Sequence, residues 1–228
     1  MPDKIIDIED NIKRITNEIE EVADKANRNP SEIILVGVTK YSEIDDIKIA
    51  YEAGLNNLGE NRIQNALPKI EQLPKDITWH MIGHLQRNKV KLALGNFSLI
   101  HAVESERLAE EINKRAIVLD IVQEILLEVN ISGEYSKFGL NESNINELVE
   151  KIQDLPNIYL KGLMTMAPFV GEDKVIRETF SGLRNLRDRL EDEFDIELPE
   201  LSMGMTNDYK IAIEEGATIL RIGSAIFK

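Results

Sequence analysis

Apolar residues return near the start of the chain at alternating steps of three and four: Ile5, Ile8, Ile12, Ile15, Ile19, Val22 and Ala26. That spacing draws one stripe down a helix whose other face is rich in Glu, Asp and Lys. The stripe predicts a helix laid on the body of the domain, with a helix paired across a dimer as the alternative. After "NRNPSE" the pattern changes to short apolar runs that alternate with amphipathic segments.

The runs predict strands at 33–40 ("IILVGVTK"), 56–61 ("NNLGEN"), 77–83 ("ITWHMIG") and 97–104 ("FSLIHAVE"). Four more follow at 123–132 ("QEILLEVNIS"), 158–167 ("IYLKGLMTMA"), 198–204 ("LPELSMG") and 217–224 ("ATILRIGS"). Between them the 3.6-residue period predicts helices at 43–54, 62–73, 85–95, 105–120, 141–155, 175–194 and 206–216. Pro68 interrupts the second of these. Strict alternation argues for parallel strands joined by helices. Eight such strands are the count of a closed (β/α)₈ barrel, here one domain over residues 1–228 with an extra N-terminal helix. An open doubly wound sheet is the competing arrangement.

Composition narrows the chemistry. The chain has 228 residues, 43% hydrophobic and 30% charged, as ordinary globular proteins do. It has no cysteine, which removes disulfides, thiolate nucleophiles and cysteine-based zinc sites. Its three histidines, His80, His84 and His101, have no metal-binding spacing, so no metal is expected. Acidic residues outnumber basic ones by 41 to 27, a net charge of −14, which argues against nucleic acid as a partner. No apolar run approaches the roughly 20 residues of a membrane span. "MPDKIIDIEDNIKR" has no signal-peptide pattern, so a cytoplasmic location is expected.

In a barrel, chemistry belongs where strands end and loops begin. "SMGMT" (202–206) and "RIGS" (221–224) close the seventh and eighth predicted strands. Loops in those places often bind phosphate through backbone N–H groups and nearby hydroxyls. Ser202, Thr206, Gly223 and Ser224 are the candidates, against turn glycines and helix caps as the plain alternative. Arg221, within the last strand, needs hydrogen-bond acceptors if it faces inward. Its fork suits a carboxylate, a phosphate or an aromatic nitrogen, or it points outward to a helix carboxylate. Lys40 ends the first predicted strand. It is either a surface cap or a lysine held in an apolar mouth, where desolvation populates the nucleophilic amine and Schiff-base chemistry follows. A phosphate site and such a lysine in one mouth suit an aldehyde bearing a phosphate, which is pyridoxal 5′-phosphate, with Arg221 at its pyridine nitrogen. His80 reads as a structural histidine and His84 as a solvated loop residue. Lys137 in "SGEYSKFG" reads either as a second cation near a ligand or as a solvated lysine.

"VGVTK", "LGENRIQ", "WHMIGHLQRNK", "SKFG", "GLMTM", "LSMGMTND" and "RIGSAIFK" stand in this order along nearly the whole chain. Together they resemble the blocks of the small pyridoxal phosphate homeostasis proteins, also called the proline synthetase co-transcribed protein family. Two departures are minor: His84 stands where a smaller residue or proline is expected, and Thr206 where serine is common. The resemblance implies a barrel like the N-terminal domain of alanine racemase, fold type III, without the C-terminal β-domain of those enzymes. It implies pyridoxal phosphate as a Schiff base on Lys40, and its phosphate on Ser202, Gly223, Ser224 and Thr206. It further implies Arg221 at the ring nitrogen and Asn57 and Met203 beside the ring. The implied role is storage of the cofactor and its delivery to apo-enzymes, with indirect effects on amino-acid and keto-acid balance, by a monomer or weak homodimer. Two other readings compete. One is a minimal racemase or decarboxylase, for which Tyr41 or Tyr135 would have to be the second base; the other is a phosphate-binding barrel of the sugar-phosphate isomerase kind.

Overall fold

The computed structural model describes residues 2–133, 139–168 and 172–228. Eight parallel strands close a barrel in sequence order: β1 (Ile34–Val38), β2 (Asn57–Glu60), β3 (Thr78–Met81), β4 (Leu99–Val103), β5 (Gln123–Glu128), β6 (Ile158–Met164), β7 (Glu200–Ser202) and β8 (Ile219–Ile222). β8 closes on β1 with Ile34 opposite Ile219 and Gly37 opposite Ile222. The open sheet is thereby excluded.

Around the strands lie α1 (Pro2–Lys25), α2 (Ile44–Glu52), α3 (Ile63–Gln72), α4 (Val90–Ala93), α5 (Glu106–Leu119), α6 (Glu142–Gln153), α7 (Asp173–Phe194), α8 (Tyr209–Glu214) and α9 (Ser224–Phe227). α1 buries Ile8, Ile12, Ile15, Ile19 and Ala23 against the domain; the side chain of Ile5 lies outside the described residues. It packs on α2, α8 and α9. The helix after β8 is a single turn, so α1 covers the wall that a full eighth helix would cover.

Three predicted elements differ. The fourth helix is a 3₁₀ turn, Arg87–Lys89, followed by the one-turn α4. α8 is confined to six residues, because Asp208 folds the preceding loop by accepting the Met205 N–H. β1 ends at Val38, so Lys40 lies two residues beyond the strand, in a turn. Pro68 sits inside α3 without ending it. Pro68 lacks the N–H that would bond the Gln64 carbonyl, and both residues are exposed.

Strand alternation separates two apolar layers. Leu58, Met81, Leu163, Leu201, Leu220 and Ile222 face the helices. Val36, Leu99, Leu126, Met164 and Ile219 fill the bore as a separate cluster. That plug is the floor on which the polar groups of the barrel mouth stand. No described helix is long and apolar enough to cross a membrane.

Candidate functional site

A file of polar side chains crosses the bore. Arg221 Nη1 donates to Ser202 Oγ at 2.6 Å, and Nη2 donates to the Thr165 carbonyl at 3.0 Å. Ser202 Oγ lies 2.8 Å from His101 Nδ1, His101 Nε2 lies 2.9 Å from His80 Nδ1, and His80 Nε2 lies 3.2 Å from Asn57 Oδ1. Burial, and then the charge of Lys161, push His80 down to about 4. Burial, then His80 and Arg221, hold His101 well below the usual imidazole range. Both rings are therefore neutral at pH 7, with one N–H each. Arginine can only donate and Asn57 Oδ1 can only accept, so the two ends agree on one direction. Ser202 donates to His101, His101 donates to His80, and His80 donates to Asn57.

Arg221 anchors one end. Burial lowers it to about 10, with Asp208 and Glu128 acting the other way, so it stays a cation at neutral pH. Two of its nitrogens are fixed from behind, which aims the guanidinium and leaves further N–H donors for a ligand.

A cavity of about 440 Å³ opens above the bore. Lys40, Thr206, Arg221, Gly223 and Ser224 all line it, together with Val38, Tyr41 and Met166. Lys40 is exposed on the rim rather than sunk in an apolar mouth, with Nζ 5.2 Å from the centre of the Tyr41 ring. Thr206 Oγ1 and Ser224 Oγ, on the cavity wall, are 3.1 Å apart. Gly204 makes this loop possible: its φ is +94°, and a Cβ there would lie 2.6 Å from the Ala212 Cβ.

The remaining expected residues stand behind the cavity wall. Ser202 points into the bore and serves Arg221 and His101. Met203, one residue on, faces the opposite way into the helix–strand core. Asn57, first in β2, lies at the strand end remote from the mouth. His84 is exposed, as expected, and its Nδ1 also lies 2.9 Å from Glu104 Oε1. Lys137 and Tyr135 lie outside the described residues. The sequence reading missed the pairing of His80 with His101, although both occupy inward positions of neighbouring strands. It also missed Glu128, an inward residue at the end of β5 that burial and Glu104 raise to about 7.

The family described as alanine racemase, N-terminal domain, matches residues 11–228. A pyridoxal phosphate homeostasis protein of Aquifex aeolicus is 43% identical over 217 residues, 95% of each chain. The chain belongs to the pyridoxal phosphate homeostasis protein family. Its member in Vibrio alginolyticus is 37% identical over 96% of each chain. Among solved structures, PipY of Synechococcus elongatus with pyridoxal phosphate bound superposes with a TM-score of 0.82 at 32% identity, covering 92% of this chain and all of that one. A protein from Bifidobacterium adolescentis, described only as unknown, gives 0.93 at 37% identity, over 100% and 97% of the two chains. Alanine racemase of Clostridium difficile shares the fold at 16% identity, with a TM-score of 0.74 over 95% of this chain and 56% of the enzyme.

Proposed function

We propose that this chain holds pyridoxal 5′-phosphate in the mouth cavity, as a Schiff base on Lys40, and stores it for delivery to apo-enzymes in the cytoplasm. The observation that carries the reading is that an amine, a guanidinium and a pair of hydroxyls face one cavity: Lys40, Arg221, Thr206 and Ser224. The relation to PipY, solved with pyridoxal phosphate bound, supports it. The cofactor supplies an aldehyde that condenses with amines, and a carrier keeps that aldehyde from stray ones.

Each residue then has a task. Thr206 and Ser224 hydroxyls and the Gly223 backbone hold the phosphate, where a side chain on Gly223 would lie 3.2 Å from the Val38 carbonyl oxygen. Arg221 donates to the pyridine nitrogen and keeps its own proton, so the ring stays a weak electron sink. Ser202 and the Thr165 carbonyl fix that guanidinium from behind. Lys40, on the rim, is reachable by an incoming amine, which suits release as well as capture. The bound cofactor and its effect on amino-acid and keto-acid balance follow from exchange rather than turnover.

The test is optical. Purified protein given pyridoxal phosphate gains a visible band that borohydride bleaches, and mass spectrometry finds the reduced adduct on Lys40. An adduct on another lysine, or a Lys40→Ala protein that keeps the band, overturns the assignment.

A further inference from the structure

Two sequence blocks, "LGENRIQ" and "WHMIGHLQRNK", touch the mouth cavity only through Asn61 and Ile82, and most of their polar residues have no task there. The structure brings them together. Glu60, Asn61, Arg62, His84, Gln86 and Lys89 line a second cleft of about 730 Å³, beside the ends of β2 and β3. Lys40, Tyr41 and Asn61 line both cavities, so the two share a wall. Gly83 closes the junction: a Cβ there would lie 2.4 Å from the Asn61 carbonyl oxygen, so only glycine lets the two blocks meet.

The chemistry of this cleft has two halves. Glu60 is fully buried. Its Oε1 takes the Lys69 amine at 2.5 Å and the Thr39 hydroxyl at 2.9 Å, while Oε2 has no donor. Asn61 Oδ1 is a second buried acceptor without a donor. Such acceptors call for a ligand that brings N–H groups. Arg62 is exposed and Lys89 half-buried, both on the same cleft, and they offer donors to an anion. A plain anion leaves Glu60 Oε2 and Asn61 Oδ1 without a donor, and a plain amine leaves Arg62 and Lys89 unused. A ligand with an ammonium at one end and a carboxylate at the other satisfies both.

We propose that this cleft takes a free α-amino acid, with its ammonium on Glu60 and Asn61 and its carboxylate on Arg62 and Lys89. The site does not require the cofactor, although it places an amine next to the Lys40 rim. An amino acid held here is positioned to meet whatever Lys40 carries.

Calorimetry on the protein stripped of any cofactor tests this with L-alanine, N-acetyl-L-alanine and ethylamine as probes. Saturable binding of L-alanine is expected, with at least tenfold weaker binding of the two analogues. Arg62→Ala and Glu60→Gln are each expected to weaken L-alanine binding about tenfold or more. Arg62 lies on the exposed surface, so its variant keeps the question open if Glu60→Gln fails to fold, and thermal melting identifies that case. Uptake of pyridoxal phosphate by Arg62→Ala is expected unchanged, which separates this site from the cofactor cavity. No saturable binding of L-alanine, equal binding of N-acetyl-L-alanine, or full affinity in Arg62→Ala overturns the proposal.

Discussion

Ser202 joins a cation to a neutral histidine pair, and its hydroxyl touches both. Ser202→Ala leaves an Arg221 N–H and His101 Nδ1 facing a methyl group in a closed bore. A loss of about 1–3 kcal/mol in unfolding free energy is expected, read by urea denaturation. Weaker cofactor uptake should accompany it, since Arg221 loses its fixed orientation. Glu128 gives a pH signature. Its folded pKa, about 7, lies above the ordinary 4.5, so the folded state binds the extra proton between those values. Stability is therefore favoured at low pH and falls as pH rises from 4.5 through 7. Glu128→Gln removes that fall. The variant should melt higher than the parent at pH 8, and the gap should close toward pH 4.5. Equal melting temperatures at pH 8 would show that Glu128 ionises there without cost. The sequence marked Ser202 as a phosphate candidate and passed over Glu128; the partners of both come from strands far apart along the chain.

At the scale of elements, α1 was legible from its stripe and its place was not. The period named the buried face, and four of its isoleucines, Ile8, Ile12, Ile15 and Ile19, are indeed buried. Which wall they cover depended on α9 being one turn long. Ile15→Ala should cost about 2–5 kcal/mol, as removal of a fully buried branched side chain does, measured by chemical denaturation. Glu18 pins the same helix to α8, accepting from Tyr209 Oη at 2.5 Å and pairing with Lys210 at 2.6 Å. Those bonds depress its carboxyl to about 2, Lys210 and Tyr209 contributing most. The lowered pKa means that its contribution is present above pH 4.5 and lost as pH falls through 2. Glu18→Gln should therefore lower the melting temperature slightly at pH 7 and make no difference near pH 2. The helix at 85–95 shows the opposite failure. Its apolar spacing was helical, but the chain spends its first residues in a 3₁₀ turn that lines the second cleft.

For the whole molecule, a net charge of −14 coexists with a mouth that gathers Lys40 and Arg221. Composition reports the average surface, and a site is a local departure from it. The sequence by itself determined the alternation of strands and helices, the number of strands, and which face of most elements is apolar. Those follow from periods of 2 and 3.6, which are local properties of the backbone. It also marked Lys40, Thr206, Arg221, Gly223 and Ser224, since strand ends and glycine turns are written locally. Closure was decided in three dimensions, by β8 meeting β1 across almost the full length of the chain. So was the sorting of Ser202 and Met203 to opposite faces of β7, and the withdrawal of Asn57 to the far end of the histidine file. The meeting of "LGENRIQ" with "WHMIGHLQRNK" around Gly83 likewise waited on the fold. A strand's pattern says only that a residue points inward; the tilt and stagger of eight strands decide what it meets there.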